Sequence, residues 1–335
     1  MTRPRIVITN PVHAPVLELL RQEGEVVANP SPVPWTSTEL AELVADASAL
    51  MAFMPDRVDA ELLAGAPRLR IVACALRGYD NFDVEACTRS GVWVSTVPDL
   101  LIAPTAELAI GLAIGLARNV TVSDRMVRSG AHRGWRAAFY GTGLAGAVVA
   151  IVGMGKLGQA IADRLRGFGC ARVMGVDPLP FNLDGVTRSS LEQALTQADY
   201  LFVAAPLTPD TLGLIGADAL AQAHPGQLII NVGRGSVVDE IAIADALAER
   251  RLAGYASDVF AFEDWALDER PEGIDRRLLS SSKTLFTPHL GSAVREVRLQ
   301  IELCAAANII AALQGRMPPD AINRPLQTRA DTELV

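Results

Sequence analysis

The sequence predicts an α/β protein of two doubly wound parallel-sheet domains, one inserted into the other, with a cleft between them. Three observations carry this. Short β-branched and apolar runs alternate with helical patterns; the alternation restarts at Val148 after a long proline-flanked helix; and a last helix follows the final strand, placed to return the chain to the first domain. At 335 residues there is length for two cores. The first domain is expected to comprise residues 1–101 and 292–335, and the inserted domain residues 102–291.

In chain order, "RIVIT", "ALMAFM", "RIVACA" and "VWVST" read as buried parallel strands of the smaller domain. Thr36 with Glu39 three residues later reads as a capping box, and Asp80 and Asp83 as a turn and a helix cap. Pro98 and Pro104 then lead into a helix capped at Thr105 and running to about Gly130. Beyond it, "VVAIVG", "RVMGVD", "YLFVAAP", "QLIINVG", "GYASDVF" and "TLFTP" read as strands of the larger sheet. The tail from Pro318 is expected to be an extended arm, frayed at its end.

Composition narrows the functions. Half the residues are hydrophobic and a fifth charged, which is the balance of a folded chain. The net charge is −8 and there is no basic run, so neither nucleic acid nor an anionic membrane is an expected partner. Cys74, Cys87, Cys170 and Cys304 form no CxxC pair, so no metal site is signalled and reduced thiols in a cytoplasm are expected. "LAIGLAIGLA", Leu108 to Ala117, is about half as long as a membrane span needs, and Gly111 and Gly115 suit close helix packing instead.

The strongest local signal is "VVAIVGMGKLG". Gly153, Gly155 and Gly158 follow a strand and open an amphipathic helix, and Asp177 ends the next strand, 19 residues past Gly158. The glycines suit a tight turn, close approach of a pyrophosphate, and helix-on-strand packing, while the helix N-terminus offers N–H groups and a positive dipole. A structural glycine turn is the plain alternative. The inserted domain is thus expected to be a Rossmann-like nucleotide-binding domain and the other the substrate domain. Asp177 would accept from ribose hydroxyls and repel a 2′-phosphate, and Pro178 adds no cation, so NAD is expected over NADP.

Three polar residues lie just past later strands: Arg234 in "INVGRGSVVDE", Glu263 in "SDVFAFEDW" and His289 in "TPHLGS". With the glycine motif and the long helix, these elements resemble the NAD-dependent D-2-hydroxyacid dehydrogenases over nearly the whole chain. The resemblance implies Arg234 as the group orienting an anionic substrate, His289 as acid/base and Glu263 as its partner. It also implies Lys156, Leu157, Pro178, Pro206 and Asp258 beside Gly153, Gly155, Gly158 and Asp177 on the cofactor. Chemically the set is apt, since a carboxylate fixes and stabilises an imidazolium whose ordinary pKa is near neutral.

Within that family, "MAFMPDRVDA", "CALRGYDNFDVEACT", "GWRAAFYGTGL", "FEDWA" and "TPHLGSAVREVRLQIE" resemble the phosphite (phosphonate) dehydrogenases, which oxidise phosphite to phosphate while reducing NAD. This implies Met54, Arg77, Gly78, Leu101, Trp135, Tyr140 and Arg298 as substrate neighbours, with Arg77 standing where those enzymes carry lysine. Phosphite is largely a dianion, so more than one cation is expected around it. A dehydrogenase of a small 2-hydroxy or 2-keto acid is the alternative, and an NAD-sensing binding scaffold a second. Arg298 has a plainer reading too, as part of a solvated helix face with Arg295 and Glu296. Trp135 and Tyr140 also read as packing at a domain or subunit contact, and Met54 as core filler. The apolar helix from Thr105 is the expected homodimer element, because its greasy surface exceeds what one domain covers.

Overall fold

A computed structural model describes residues 3–329; the expected frayed end of the tail lies outside them. The chain forms two compact units. Unit 1 comprises residues 1–101, 265–268 and 293–335, and unit 2 residues 102–264 and 269–292. The fold is α/β with two all-parallel sheets.

Unit 1 starts β1 (Arg5–Ile8), α1 (Ala14–Glu23), β2 (Glu25–Ala28), α2 (Ser37–Val44), β3 (Ala49–Ala52), α3 (Ala60–Gly65), β4 (Ile71–Cys74), α4 (Val84–Arg89) and β5 (Trp93–Ser95). Its sheet order is β2-β1-β3-β4-β5. β2, "EVVA", was not among the expected strands; it is a short edge strand whose residues are exposed or half-buried, so it lacks the continuous apolar run of a central parallel strand. The Thr36–Glu39 capping box forms, and Asp83 caps α4 through Ala86 N.

Alternate strand residues face opposite layers, as the pleat requires. Val7, Leu50 and Val72 join α2, α3 and α4, whereas Ile6, Ile8, Met51 and Ile71 face α1 and the last helix. Each fully buried Ile, Leu or Val contributes about 1.5–3 kcal/mol.

Unit 2 continues with α5 (Ile102–Ala117), α6 (Val120–Arg128), β6 (Val148–Val152), α7 (Lys156–Leu165), β7 (Arg172–Val176), β8 (Val186–Arg188), α8 (Leu191–Gln197), β9 (Tyr200–Val203), α9 (Ala217–Leu220), β10 (Leu228–Asn231), α10 (Glu240–Ala248), β11 (Gly254–Ser257), α11 (Arg276–Ser280) and β12 (Thr284–Phe286). The chain then returns to unit 1 in α12 (Arg295–Leu313). The seven-stranded sheet runs β12-β11-β10-β9-β6-β7-β8, so its order reverses between β6 and β9, the switch point where open sheets bind ligands.

Two expectations are corrected here. The long helix is two helices meeting at a 64° bend, because Asn119 adopts the left-handed conformation (φ 53°) and ends the ladder. Its first helix starts at Ile102, so Thr105 lies inside it and Pro104 occupies the first turn, where no amide is needed. Within α5, Ala106, Ala109, Ile110, Leu112, Ala113 and Ala117 are buried in unit 2's own core with α7 and the strands, while Ile114 is exposed. The second part of the expected helix, α6, has no buried residue, and the segment after it exposes Trp135 at 83% and Tyr140 at 81%. Among the described residues, no single helix is long and apolar enough to cross a membrane.

Candidate active site

The polar residues singled out in unit 2 sit at the carboxyl ends of its strands, and the backbone at each end is shaped by a neighbour. After β10, Asn231 is fully buried; its Oδ1 accepts from Gly233 N (3.1 Å) and its Nδ2 donates to Arg234 O (2.9 Å), which sets the turn presenting Arg234. Gly235 follows because nothing larger fits: a Cβ there would lie 1.9 Å from the Phe260 carbonyl carbon. The same turn is tied to the loop after β11 by Ser236 N donating to Asp264 Oδ2 at 2.7 Å.

That second loop carries Glu263 at the end of a 3-10 turn, Ala261–Glu263. Buried Glu240, the first residue of α10, accepts from Ala261 N at 2.9 Å and anchors it. Burial first, then repulsion by Asp264, Glu263 and Asp275, pushes the Glu240 carboxyl up to about 7 against the Ala261 bond.

His289 lies past β12 with φ 55°, a left-handed conformation that non-glycine residues seldom hold without support. Asp258, 1% exposed after β11, provides it. Its carboxylate accepts from Thr287 Oγ1 (2.6 Å), Leu290 N (2.6 Å) and Gly291 N (2.8 Å), and its carbonyl accepts from His289 N (2.9 Å). Burial raises the Asp258 pKa while these bonds oppose the rise. Held this way, His289 Nδ1 lies 2.7 Å from Glu263 Oε2, with the two side chains 30% and 20% exposed. A carboxylate at Nδ1 makes that nitrogen the N–H donor and leaves Nε2 for chemistry. The sequence placed Asp258 on the cofactor; in the structure its three acceptor bonds belong to the His289 loop.

The glycine motif forms the strand-to-helix turn between β6 and α7. Gly153 has φ 92°, and a Cβ there would lie 2.7 Å from Ala205 N, so only glycine closes this turn against the end of β9. A Cβ at Gly158 would lie 2.0 Å from Gly153 O, but one at Gly155 would meet nothing within 4 Å. The space over Gly155 is therefore open beside the N-terminus of α7, which no side chain caps, with Lys156 exposed in its first turn. These features fit a dinucleotide pyrophosphate. Asp177, after β7, accepts from Met154 N (2.7 Å) and Leu179 N (2.9 Å), and so closes the motif's own loop. Pro178 and Pro206 are exposed at the ends of β7 and β9.

One cation was missed. Arg188, closing the edge strand β8, donates to Asp177 O (3.0 Å) and Pro178 O (3.1 Å). Its only sequence signal was a basic residue in "VTR", a strand too short to read.

The expected substrate neighbours divide between the units. Trp135 and Tyr140 are on the exposed segment of unit 2. In unit 1, Met54 packs on the core, its carbonyl accepting from Asn81 Nδ2 (2.8 Å), while Gly78 and Leu101 are half-buried. Arg77 donates to Pro98 O and pairs with Asp99 at 3.1 Å, so part of its charge is answered locally. Arg298 does not belong to a solvated face: Arg295 and Glu296 are exposed, whereas Arg298 is partly buried, its guanidinium 5.6 Å from the Phe53 ring centre. Among the described residues there is no group of His, Cys, Asp or Glu suited to a metal.

Residues 110–291 match the D-isomer specific 2-hydroxyacid dehydrogenase, NAD binding domain. The chain is 35% identical over 333 residues to a glyoxylate reductase of Pyrococcus furiosus, covering 96% of each. A solved protein of Thermus thermophilus superposes with TM-score 0.88 at 32% identity, over 95% of this chain and 100% of that one. The NADPH-dependent glyoxylate/hydroxypyruvate reductase of Sinorhizobium meliloti, solved with NADP and malonate, does so with TM-score 0.82 at 29% identity, over 96% and 97%. None of the three is named for phosphite. The site at the β6/β9 switch point, the His289–Glu263 pair and these similarities agree: the chain belongs to the D-isomer specific 2-hydroxyacid dehydrogenase family and is an NAD-dependent oxidoreductase by fold and cofactor domain.

Proposed function

We propose that this chain interconverts a small 2-keto acid and its D-2-hydroxy acid, glyoxylate-like in size, with NAD. The observation that carries the reading is the 2.7 Å pairing of His289 with Glu263 on a loop pinned by Asp258. Bound NAD supplies the hydride acceptor or donor. Gly153, Gly155, Gly158 and the amides opening α7 would hold its pyrophosphate, and Asp177 its ribose. Arg234 would hold the substrate carboxylate and orient the carbonyl carbon. His289 Nε2 would give its proton to the carbonyl oxygen on reduction and take it back on oxidation, while Glu263 stabilises the charged ring. Alignment and proton transfer together supply the rate.

Phosphite oxidation is the second reading. It is supported by the stretches "GWRAAFYGTGL", "FEDWA" and "TPHLGSAVREVRLQIE", and by a half-buried cation, Arg298, that a monocarboxylate does not require. Here water would attack phosphorus as hydride leaves, and His289 would take the water's proton, giving phosphate.

One assay separates the readings: NADH consumption with glyoxylate and hydroxypyruvate against NADH formation with phosphite, in the wild type and in His289→Ala. Fast keto-acid turnover lost in the variant establishes the first reading. Phosphite turnover exceeding it establishes the second, and no turnover with either leaves an NAD-binding scaffold. We further propose that a second copy covers α6 and the Trp135–Tyr140 segment; a monomer mass by light scattering at micromolar concentration refutes it.

A further inference from the structure

Two buried carboxyl groups link the turn after β10 to the turn after β11, and they do so in opposite directions. Glu240, on the β10 side, reaches across so that its Oε1 accepts from Ala261 N at 2.9 Å. Asp264, 2% exposed and on the β11 side, reaches back so that its Oδ2 accepts from Ser236 N at 2.7 Å. The bonded residues bracket the functional ones. Ser236 lies two residues past Arg234, while Ala261 begins the 3-10 turn that carries Glu263 and Asp264 closes it. Where the turns cross, their backbones are in contact, which leaves no room for a Cβ on Gly235 beside Phe260.

Each turn is also fixed from behind. Gly213 N donates to Ser236 O (2.8 Å) and Ile215 N to Val237 O (3.0 Å), while the Asp239 carboxylate accepts from Ile241 N and Ala242 N and sets the start of α10, where Glu240 stands. On the other side the Phe260 ring stacks on Phe262 at 6.0 Å and meets Phe286, three residues before His289, edge-on at 5.3 Å. A loop that needed support alone could use one neutral acceptor. Carboxyls buried together near Glu263 lose solvation and repel one another, so the arrangement is costly. What it adds is that the backbone on both sides of Glu263 is fixed against the backbone that carries Arg234.

We infer that Glu240 and Asp264 are positioning residues that form a cross-brace: together they hold Glu263 against His289 Nδ1 and at a set spacing from Arg234. All five residues belong to unit 2. Loss of either strut lets the 3-10 turn drift and withdraws the acceptor from Nδ1–H, and the neutral ring then moves to the Nε2–H form. The inference rests on the proposed dehydrogenase reading only for its consequence in turnover.

The test reads the His289 tautomer by NMR in the ligand-free full chain carrying ¹⁵N-labelled histidine, at alkaline pH where the imidazole is neutral. His289→Gln assigns the signals, and Glu263→Ala supplies the released ring as a reference. The wild type should hold Nδ1–H, whereas Glu240→Ala and Asp264→Ala should each shift the ring toward Nε2–H. With whichever of glyoxylate or phosphite turns over, kcat should fall roughly tenfold in both while KM for the cofactor is unchanged. Glu240→Gln and Asp264→Asn keep an acceptor oxygen for the same amides, so they should restore the wild-type tautomer and bring kcat back to within about threefold. If Asp264→Ala fails to fold, Glu240→Ala decides, since it removes a buried carboxyl whose ionisation weakens the fold. A fall in Tm with the wild-type tautomer and kcat retained would make the two carboxyls loop supports and overturn the inference. A wild-type ring already in the Nε2–H form overturns it as well, as does a shift that Gln and Asn fail to reverse. Absence of turnover with a tautomer that still follows the brace overturns the dehydrogenase reading and leaves the inference standing.

Discussion

Replacing Glu240 by Gln tests the electrostatics under the loop that carries Glu263. Glu240 is 7% exposed and its carboxyl is held at about 7 in the fold, against an ordinary value of 4.5. A carboxyl whose folded pKa is raised binds its proton more tightly when folded, so stability is lost as pH climbs from the unfolded value through the folded one. At 1.36 kcal/mol per unit, the penalty grows from about 1 kcal/mol at pH 5 to about 3 kcal/mol at pH 8. Gln keeps the acceptor for Ala261 N and cannot ionise. The variant should therefore gain about 2.5 kcal/mol on the wild type between pH 5 and pH 8, read from urea denaturation of both proteins. Asp56, raised by burial to about 6, titrates in part of the same window but is common to both chains and cancels. A difference that does not change with pH, or one that moves against the variant as pH rises, refutes the reasoning.

Further outcomes follow from the same geometry. Asp258→Asn puts an amide where three donors converge, leaves about one buried N–H unsatisfied at about 1–3 kcal/mol, and should lower kcat at least tenfold with little change in cofactor Kd. An effect on cofactor Kd alone would make Asp258 a cofactor contact instead of a support for His289. Asp177→Ala removes the carboxylate but leaves Arg188 beside the carbonyls of residues 177 and 178, so the NAD-to-NADP ratio of kcat/KM should fall roughly 10- to 100-fold. An unchanged ratio in the Asp177 variant would remove both residues from the discrimination. His289→Ala should cost about 10²–10⁴-fold in kcat, the usual worth of a positioned acid/base, and a smaller loss would shift proton transfer to another group.

Much of the fold was legible because its signals are local. Central parallel strands are buried on both faces and read as apolar runs, so ten of the twelve described strands were visible. The two missed, β2 and β8, are edge strands of four and three residues with half-exposed side chains. The break at Asn119 was missed because a single residue in the left-handed region ends a helix without changing the apolar pattern around it.

By itself the sequence determined the parallel α/β architecture, the glycine turn and the positions of Arg234, Glu263 and His289 past successive strands. Each of these follows from residue type and spacing along one segment. Only the tertiary structure decided that Asp258 grips the His289 loop 29 to 33 residues away, that Arg188 borders Asp177, and that Glu302 joins His13 across 289 residues. Those bonds form between strand ends and helix starts brought together by sheet register, and hydrogen bonds act over about 3 Å in space whatever the separation along the chain.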